Sequence, residues 1–296
     1  MTKQQEGKTY GNAGLFKALV WSLRHFGIRP FYIIAYVFFV PVAVLFSRGA
    51  GYTFSYYHDR LRWSRWRSIK ALYRNHSIFG ETVVDKFAMY AGHQFRIKYH
   101  GLKEYDEVTQ KPEAMIQLSA HIGCSEILGY SYNNNKPCNV LVFGGEKEVV
   151  MRYRQSAFGN KDIKMIPVAT EGSHSDDIIR ALDNGEIVSV FADRFVNDKK
   201  LIISTIHGYK VKLARGPFSM AVNRGLTVFM ASAMKERDGS YTAYFTPLYY
   251  DRTAAPKQQR QQLADAYCAE IERLMEIYSL QWFNYSDLWL EAVSNS

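Results

Sequence analysis

His121 and Glu126 are the residues in this chain whose types and spacing most plainly suit chemistry. They bound the segment His121-Ile-Gly-Cys-Ser-Glu126, which follows the apolar run Ala114-Met-Ile-Gln-Leu-Ser119 almost directly. On one regular helix, residues so spaced point about 140° apart and cannot meet. They meet if His121 lies in a turn and Glu126 in the first turn of the next helix, and Gly123 is the residue such a tight turn needs. A neutral imidazole is a base near pH 7, and a carboxylate on its other nitrogen fixes the tautomer and stabilises the imidazolium. With a substrate hydroxyl in place of an enzyme serine, this is a charge-relay pair suited to acyl transfer. The helix N-terminus beside it could receive a phosphate or an oxyanion.

Such a pair needs a strand before it and a sheet around it. Short apolar runs that suit buried strands occur at 114–119, 138–143, 163–168, 186–192, 226–232 and 241–246. Helical segments alternate with them. Ser175–Asp183 opens on a capping residue with acids in its first turn, and Asn184-Gly185 ends it. A second helix is expected over Phe218–Asn223, and a long amphipathic one over Lys257–Tyr278. Strands spaced by helices predict an α/β fold, a mostly parallel sheet flanked by helices. Asp193 and Arg194 close the fourth strand, at the end where such sheets place ligands. The expected division is a helical, membrane-associated segment over 1–75 and the α/β domain over 76–296.

The case for a membrane rests on Phe31–Phe46, sixteen residues without a charge. As a helix they span roughly 24 Å, short of the roughly 30 Å hydrocarbon core, and Pro41 would kink them. Cations flank both ends, which gives no positive-inside asymmetry. A segment dipping into one leaflet, or a short helical hairpin, is favoured over a span. A buried core helix is the competing reading. The next stretch, Arg60-Leu-Arg-Trp-Ser-Arg-Trp-Arg-Ser-Ile-Lys70, interleaves Arg and Trp as a lipid headgroup region would. The polar first 20 residues argue against a signal peptide.

Composition narrows the partners. The 296 residues carry a formal net charge of +9 with 15% aromatics, which excludes a disordered tail and points to acidic partners. Three cysteines with no CxxC pair suggest neither a disulfide framework nor a zinc ribbon, and a reducing compartment is the simpler reading. No metal site is expected, because the histidines show no ligand spacing such as HxxxH or HExxH. There is no P-loop, and no nucleic-acid motif accompanies the charge.

The segment His121–Glu126 resembles the HxGxxE form of the HX4D/E signature of glycerolipid-type acyltransferases. Within that superfamily the chain is similar to the late, lauroyl and myristoyl, acyltransferases of lipid A biosynthesis. The resemblance extends through Arg152-Tyr-Arg154 ahead of Gly159, Asp193-Arg194, His207-Gly208 and Gln281-Trp282 with Trp289. It implies a transferase of lipid and lipopolysaccharide biosynthesis at the cytoplasmic face of the bacterial inner membrane. The acyl donor would be acyl carrier protein or acyl-CoA, the acceptor a lipid hydroxyl, the surface an anionic membrane, and no cofactor would be needed. His121 would be the general base and Glu126 its orienting group. Gly123, Arg154, Asp193 and Arg194 would serve substrate binding, with Arg152 a weaker candidate. Arg194 stands where the family has glutamine, Ser279 where it has proline, and Asn284-Tyr-Ser-Asp287 where a basic run is common. These departures leave aryl-polyene or flexirubin pigments and aminolipids open as acceptors. A basic membrane-binding protein without chemistry is the alternative of another class.

Overall fold

The computed structural model describes residues 13–132, 135–143, 162–168, 174–195 and 200–290. The N-terminal part is helical. α1 (Ala13–Phe26) is followed by α2 (Arg29–Ile34), which continues through a π-turn over Ala35–Phe39 into α3 (Val40–Phe46). The π-turn sits ahead of Pro41, and the Val40 N–H reaches back to the Ala35 carbonyl. Proline lacks an N–H and crowds the preceding turn, and a widened turn absorbs both without breaking the helix. α4 (Arg48–Ser55) and a second π-turn (Tyr56–Arg60) lead to α5 (Arg65–Tyr90). The Ser64 side chain caps α5 by accepting from the Arg67 N–H. α5 runs unbroken through residue 75, so the boundary expected there falls inside a helix that belongs to both parts.

The rest builds the α/β domain. In chain order it contains β1 (Ile97–His100), α6 (Leu102–Thr109), β2 (Met115–Ser119), α7 (Ser125–Ser131), β3 (Cys138–Phe143), β4 (Ile163–Val168) and α8 (His174–Asp183). There follow β5 (Ile187–Phe191), β6 (Leu201–Ile206), β7 (Tyr209–Ala214), α9 (Arg215–Asn223), β8 (Thr227–Lys235), β9 (Tyr241–Leu248) and α10 (Pro256–Ile277). Among the described residues seven strands form one sheet in the order β1-β9-β8-β2-β5-β3-β4, while β6 and β7 form a separate antiparallel hairpin. Every pairing in the large sheet is parallel except β8 with β9, which the short Glu236–Ser240 turn joins.

Helices cover both faces, which is why the central strands are mostly apolar. Polar side chains within them pair with each other, Gln117 of β2 donating to the Ser189 hydroxyl of β5 at 3.1 Å. On one face Phe218, Leu263, Tyr267 and Ile271 of α9 and α10 pack against Ile116, Leu118 and Val190. On the other, Met89 of α5, Tyr105 of α6 and Ile127 of α7 pack against Met115, Ile187 and Phe229. β2 lies between β5 and β8, at the heart of the sheet.

Candidate active site

The strand register assembles the site. β2 and β5 are neighbouring parallel strands, with Ser119 opposite Phe191 at their carboxyl ends. Two residues beyond each lie His121 and Asp193, so the register that pairs the strands also brings these side chains together. His121 Nδ1 lies 2.8 Å from Asp193 Oδ1, and the His121 backbone N–H donates to Asp193 Oδ2 at 2.8 Å. The imidazole retains 27% exposure, whereas the carboxylate is 2% exposed. One ring nitrogen is therefore tied to a buried anion and the ring edge stays open to a substrate. The Phe191 ring, with centroid 4.7 Å from the imidazole, lines its flank.

Burial works to raise the Asp193 carboxyl. The His121 charge and the side-chain and backbone hydrogen bonds from His121 outweigh it, with a further contribution from Arg194, and the group ends below the usual carboxylate range. Asp193 is thus a stable anion beneath a histidine. That arrangement holds the Nδ1–H tautomer, leaves Nε2 as the basic atom, and stabilises the imidazolium once a proton arrives.

The loop after β2 is held from two sides. Gly123 adopts φ +61° and forms a parallel bridge to Ala233 of β8, and the Cys124 N–H donates to the Ala233 carbonyl at 2.7 Å. A Cβ on Gly123 would sit well inside contact distance of that carbonyl oxygen, so both the φ and the space demand glycine. From the other side, the Gly123 N–H donates to the Gln281 carbonyl at 2.8 Å and the Phe283 N–H to the His121 carbonyl at 2.6 Å. The Gln281 carboxamide clasps the backbone of Lys235, accepting from its N–H at 2.9 Å and donating to its carbonyl at 2.7 Å.

Glu126 lies in the first turn of α7, as the spacing predicts. Its Oε1 lies 2.6 Å from the Lys86 Nζ of α5. The carboxylate at His121 Nδ1 is Asp193, whereas the motif spacing suggests Glu126 for that place. Arg194, beside Asp193, donates from Nη2 to the Phe283 carbonyl at 3.3 Å, which joins it to the same C-terminal segment. Arg152 and Arg154 lie outside the described residues. Cys124 is buried, and burial together with the Glu126 and Asp85 charges pushes its thiol up to about 12, which suits a packed residue and not a nucleophile. Among the described residues no group of three or more His, Cys, Asp or Glu side chains could hold a metal ion.

Beside the site, α5 carries a buried ionic knot. Lys235 pairs with the fully buried Asp85, and the hydroxyls of Tyr32 and Tyr241 both donate to the Asp85 carboxylate. Tyr32 belongs to α2, so the apolar helix is tied directly to the end of β8. That helix, Arg29–Phe46, is long and apolar enough to cross a membrane, and only 11% of it is buried, which separates it from a core helix. Phe38, Phe39, Leu45 and Phe46 are all more than half exposed.

No family model matches this chain, and no curated protein does. Among solved structures it is similar to the 1-acyl-sn-glycerophosphate acyltransferase PlsC of Thermotoga maritima, at 15% identity and a TM-score of 0.41, over 92% of this chain and 99% of that one. That likeness is too loose to carry a residue or an activity across. The α/β architecture and the His121–Asp193 pair stand on the geometry given above.

Sequence reasoning missed two groups. Lys86 lies near the C-terminal end of α5, 40 positions from Glu126, and only the fold brings them together. Asn284 is 7% exposed and reaches Asp193, a contact that no local pattern announces.

Proposed function

We propose that this protein is a membrane-associated O-acyltransferase that moves a fatty acyl chain from a thioester donor to a lipid hydroxyl. The observation that carries this is the pairing of a half-open His121 with the buried Asp193 at the ends of adjacent parallel strands. In the proposed step, Nε2 of His121 takes the proton of the acceptor hydroxyl while its oxygen attacks the thioester carbonyl. The tetrahedral adduct collapses with cleavage of the C–S bond, and the departing thiolate takes the proton from the imidazolium. Asp193 holds the tautomer and balances the transient charge. Glu126, anchored by Lys86, serves as a second site carboxylate at the mouth of the loop, and Gly123 lets that loop turn. The thioester supplies the driving force, so the step needs no cofactor.

The substrates follow from charge, from exposed apolar surface and from the sequence resemblance. Acyl carrier protein is the preferred donor, because a chain of net charge +9 attracts an acidic carrier, with acyl-CoA the second choice. The preferred acceptor is a lipid A-like lipid, with pigment or amino lipids as the other outcomes. The site belongs at the cytoplasmic face of the inner membrane. The apolar helix lies along α5, with Ala35 and Val40 over Gly80 and with the Tyr73 hydroxyl on the Tyr36 carbonyl. α5 bears Arg65, Arg67, Lys70, Arg74, Glu81 and Lys86, which do not suit hydrocarbon. The apolar helix therefore lies in the plane of one leaflet with its exposed face down, and Trp66 and the arginines around it meet the headgroups.

The test is lipid mass spectrometry of a deletion strain complemented with wild type or with His121→Ala. Wild type restores the missing acyl ester, whose mass names acceptor and chain, and the folded, membrane-bound variant does not. Full restoration by His121→Ala would reject the mechanism and favour a binding module.

A further inference from the structure

The segment Gln281-Trp-Phe-Asn284 crosses the ends of β2, β5 and β8 like a strap, and its polar contacts fall on the loop of His121, on Asp193 and Arg194, and on Lys235 at the end of β8. Gln281 and Phe283 hold the loop of His121 through the backbone, as described above. Asn284 does something different, because it touches the acid of the pair. Its Nδ2 donates to the Asp193 carbonyl at 2.7 Å and to Asp193 Oδ2 at 3.2 Å. Its Oδ1 accepts from the Ser286 hydroxyl and, at 3.3 Å, from the Ser286 N–H, so the amide can present only its nitrogen to Asp193. The strap is anchored from behind. Asn75 of α5 donates to the carbonyls of Leu280 and Trp282 at 3.0 and 2.9 Å, and the Tyr285 hydroxyl donates back to Asn75 Oδ1 at 2.9 Å.

We propose that Asn284 is a positioning residue that holds the Asp193 carboxylate in the rotamer that aims Oδ1 at His121 Nδ1, making His121, Asp193 and Asn284 one relay. The proposal rests on the reading of His121 as the base. The geometry supports it in two ways. Asp193 Oδ2 is shared between the His121 backbone N–H and Asn284, so Oδ1 is left for the imidazole alone. Asp193 is also buried, so water does not replace a lost donor. The charged and titratable groups facing Asp193 are His121, Arg194 beside it in the chain, and Tyr267 and Cys268 from α10. None of them occupies the place of Asn284.

The experiment uses the full chain in phospholipid nanodiscs, with nitrogen-labelled histidine. The His121 ring signals are identified among eight histidines by their loss in His121→Gln. Wild-type His121 is expected in a single Nδ1–H tautomer when neutral. Asn284→Ala leaves Oδ2 on the His121 N–H alone and loosens the carboxylate, so the ring admits the second tautomer, and kcat for acyl transfer falls about 10- to 100-fold with KM unchanged. Asn284→Asp keeps the volume and the Ser286 turn, and it guards against a folding defect in the alanine variant. Its acid can donate a shared proton to Asp193 as the amide did. Once that proton leaves, two carboxylates face each other, and the variant gains an alkaline limb in its pH profile that wild type lacks. Wild-type tautomer and titration of His121 in both folded variants would overturn the proposal. If the variants move the imidazole signals while no thioester is turned over by wild type, the acyltransferase reading fails and the positioning role stands.

Discussion

Asp193→Asn is the substitution that tests the site most directly. The side-chain volume hardly changes, but a unit negative charge leaves a place where it lies 2.8 Å from His121 Nδ1 and is almost wholly shielded from water. Two charge centres about 4 Å apart at an effective dielectric of about 20 interact by about 4 kcal/mol. That is the imidazolium stabilisation the substitution removes, equivalent to a fall in kcat of about 1000-fold. Hydrogen bonding adds to it. Asp193 Oδ1 and Oδ2 both face donors, from the His121 ring, the His121 backbone and Asn284, so an amide must set its own NH2 against one of them or force the ring into the wrong tautomer. The assay is the initial rate of transfer of a labelled acyl group from an acyl carrier protein thioester, in vesicles containing the acceptor. Circular dichroism and sedimentation with the vesicles establish that the variant is folded and bound. A folded, bound Asp193→Asn that kept more than about a tenth of the wild-type kcat would refute the assignment of Asp193 as the partner of His121.

Other outcomes follow from the same structure. Gly123→Ala should cost about 2–4 kcal/mol of stability, from the left-handed φ together with the approach to the Ala233 carbonyl, and chemical denaturation measures it. Lys235→Met leaves Asp85 buried without its cation and should cost about 3–5 kcal/mol, and pairing it with Asp85→Asn should recover part of that in the same measurement. The Asp193 carboxyl is lower in the folded chain than the ordinary value near 3.9, so its stabilising contribution is complete above about pH 4 and is lost as pH falls below it. Acid titration of stability should therefore show a shallower loss in Asp193→Asn than in wild type. Replacing Phe38, Phe39 and Phe46 together by serine removes three exposed rings from the apolar helix and should weaken partitioning onto anionic vesicles by about 100-fold or more, as read by co-sedimentation.

Much of the frame was legible because its signals are local. The apolar runs at 114–119, 138–143 and 163–168 became β2, β3 and β4 within a residue, and the capped segment at 175–183 became α8, because strand and helix periodicity is written over consecutive residues. The strands β1 and the β6–β7 hairpin were not anticipated. β1 has only four residues with alternating burial, and the hairpin turns at His207-Gly208, where His207 takes φ +49° without a strong turn dipeptide. His121 and Asp193 were each visible as polar residues at strand ends, but their partnership was not. It depends on β5 being inserted beside β2 while β3 and β4, earlier in the chain, lie further out. That ordering is a tertiary fact, and a motif with its own nearby acid draws the eye to Glu126 instead.

The tie between Tyr32 and Asp85 has a consequence for reach. A membrane arm joined by a free linker would let the α/β domain rise and tilt over the bilayer. Here the apolar helix cannot lift away without exposing Asp85 and Lys235, whose side chains are 0% and 5% accessible. If the helix rests in the bilayer surface, His121 is held at one height above it. The depth at which a hydroxyl sits in the lipid would then select among acceptors, before any contact with its headgroup does.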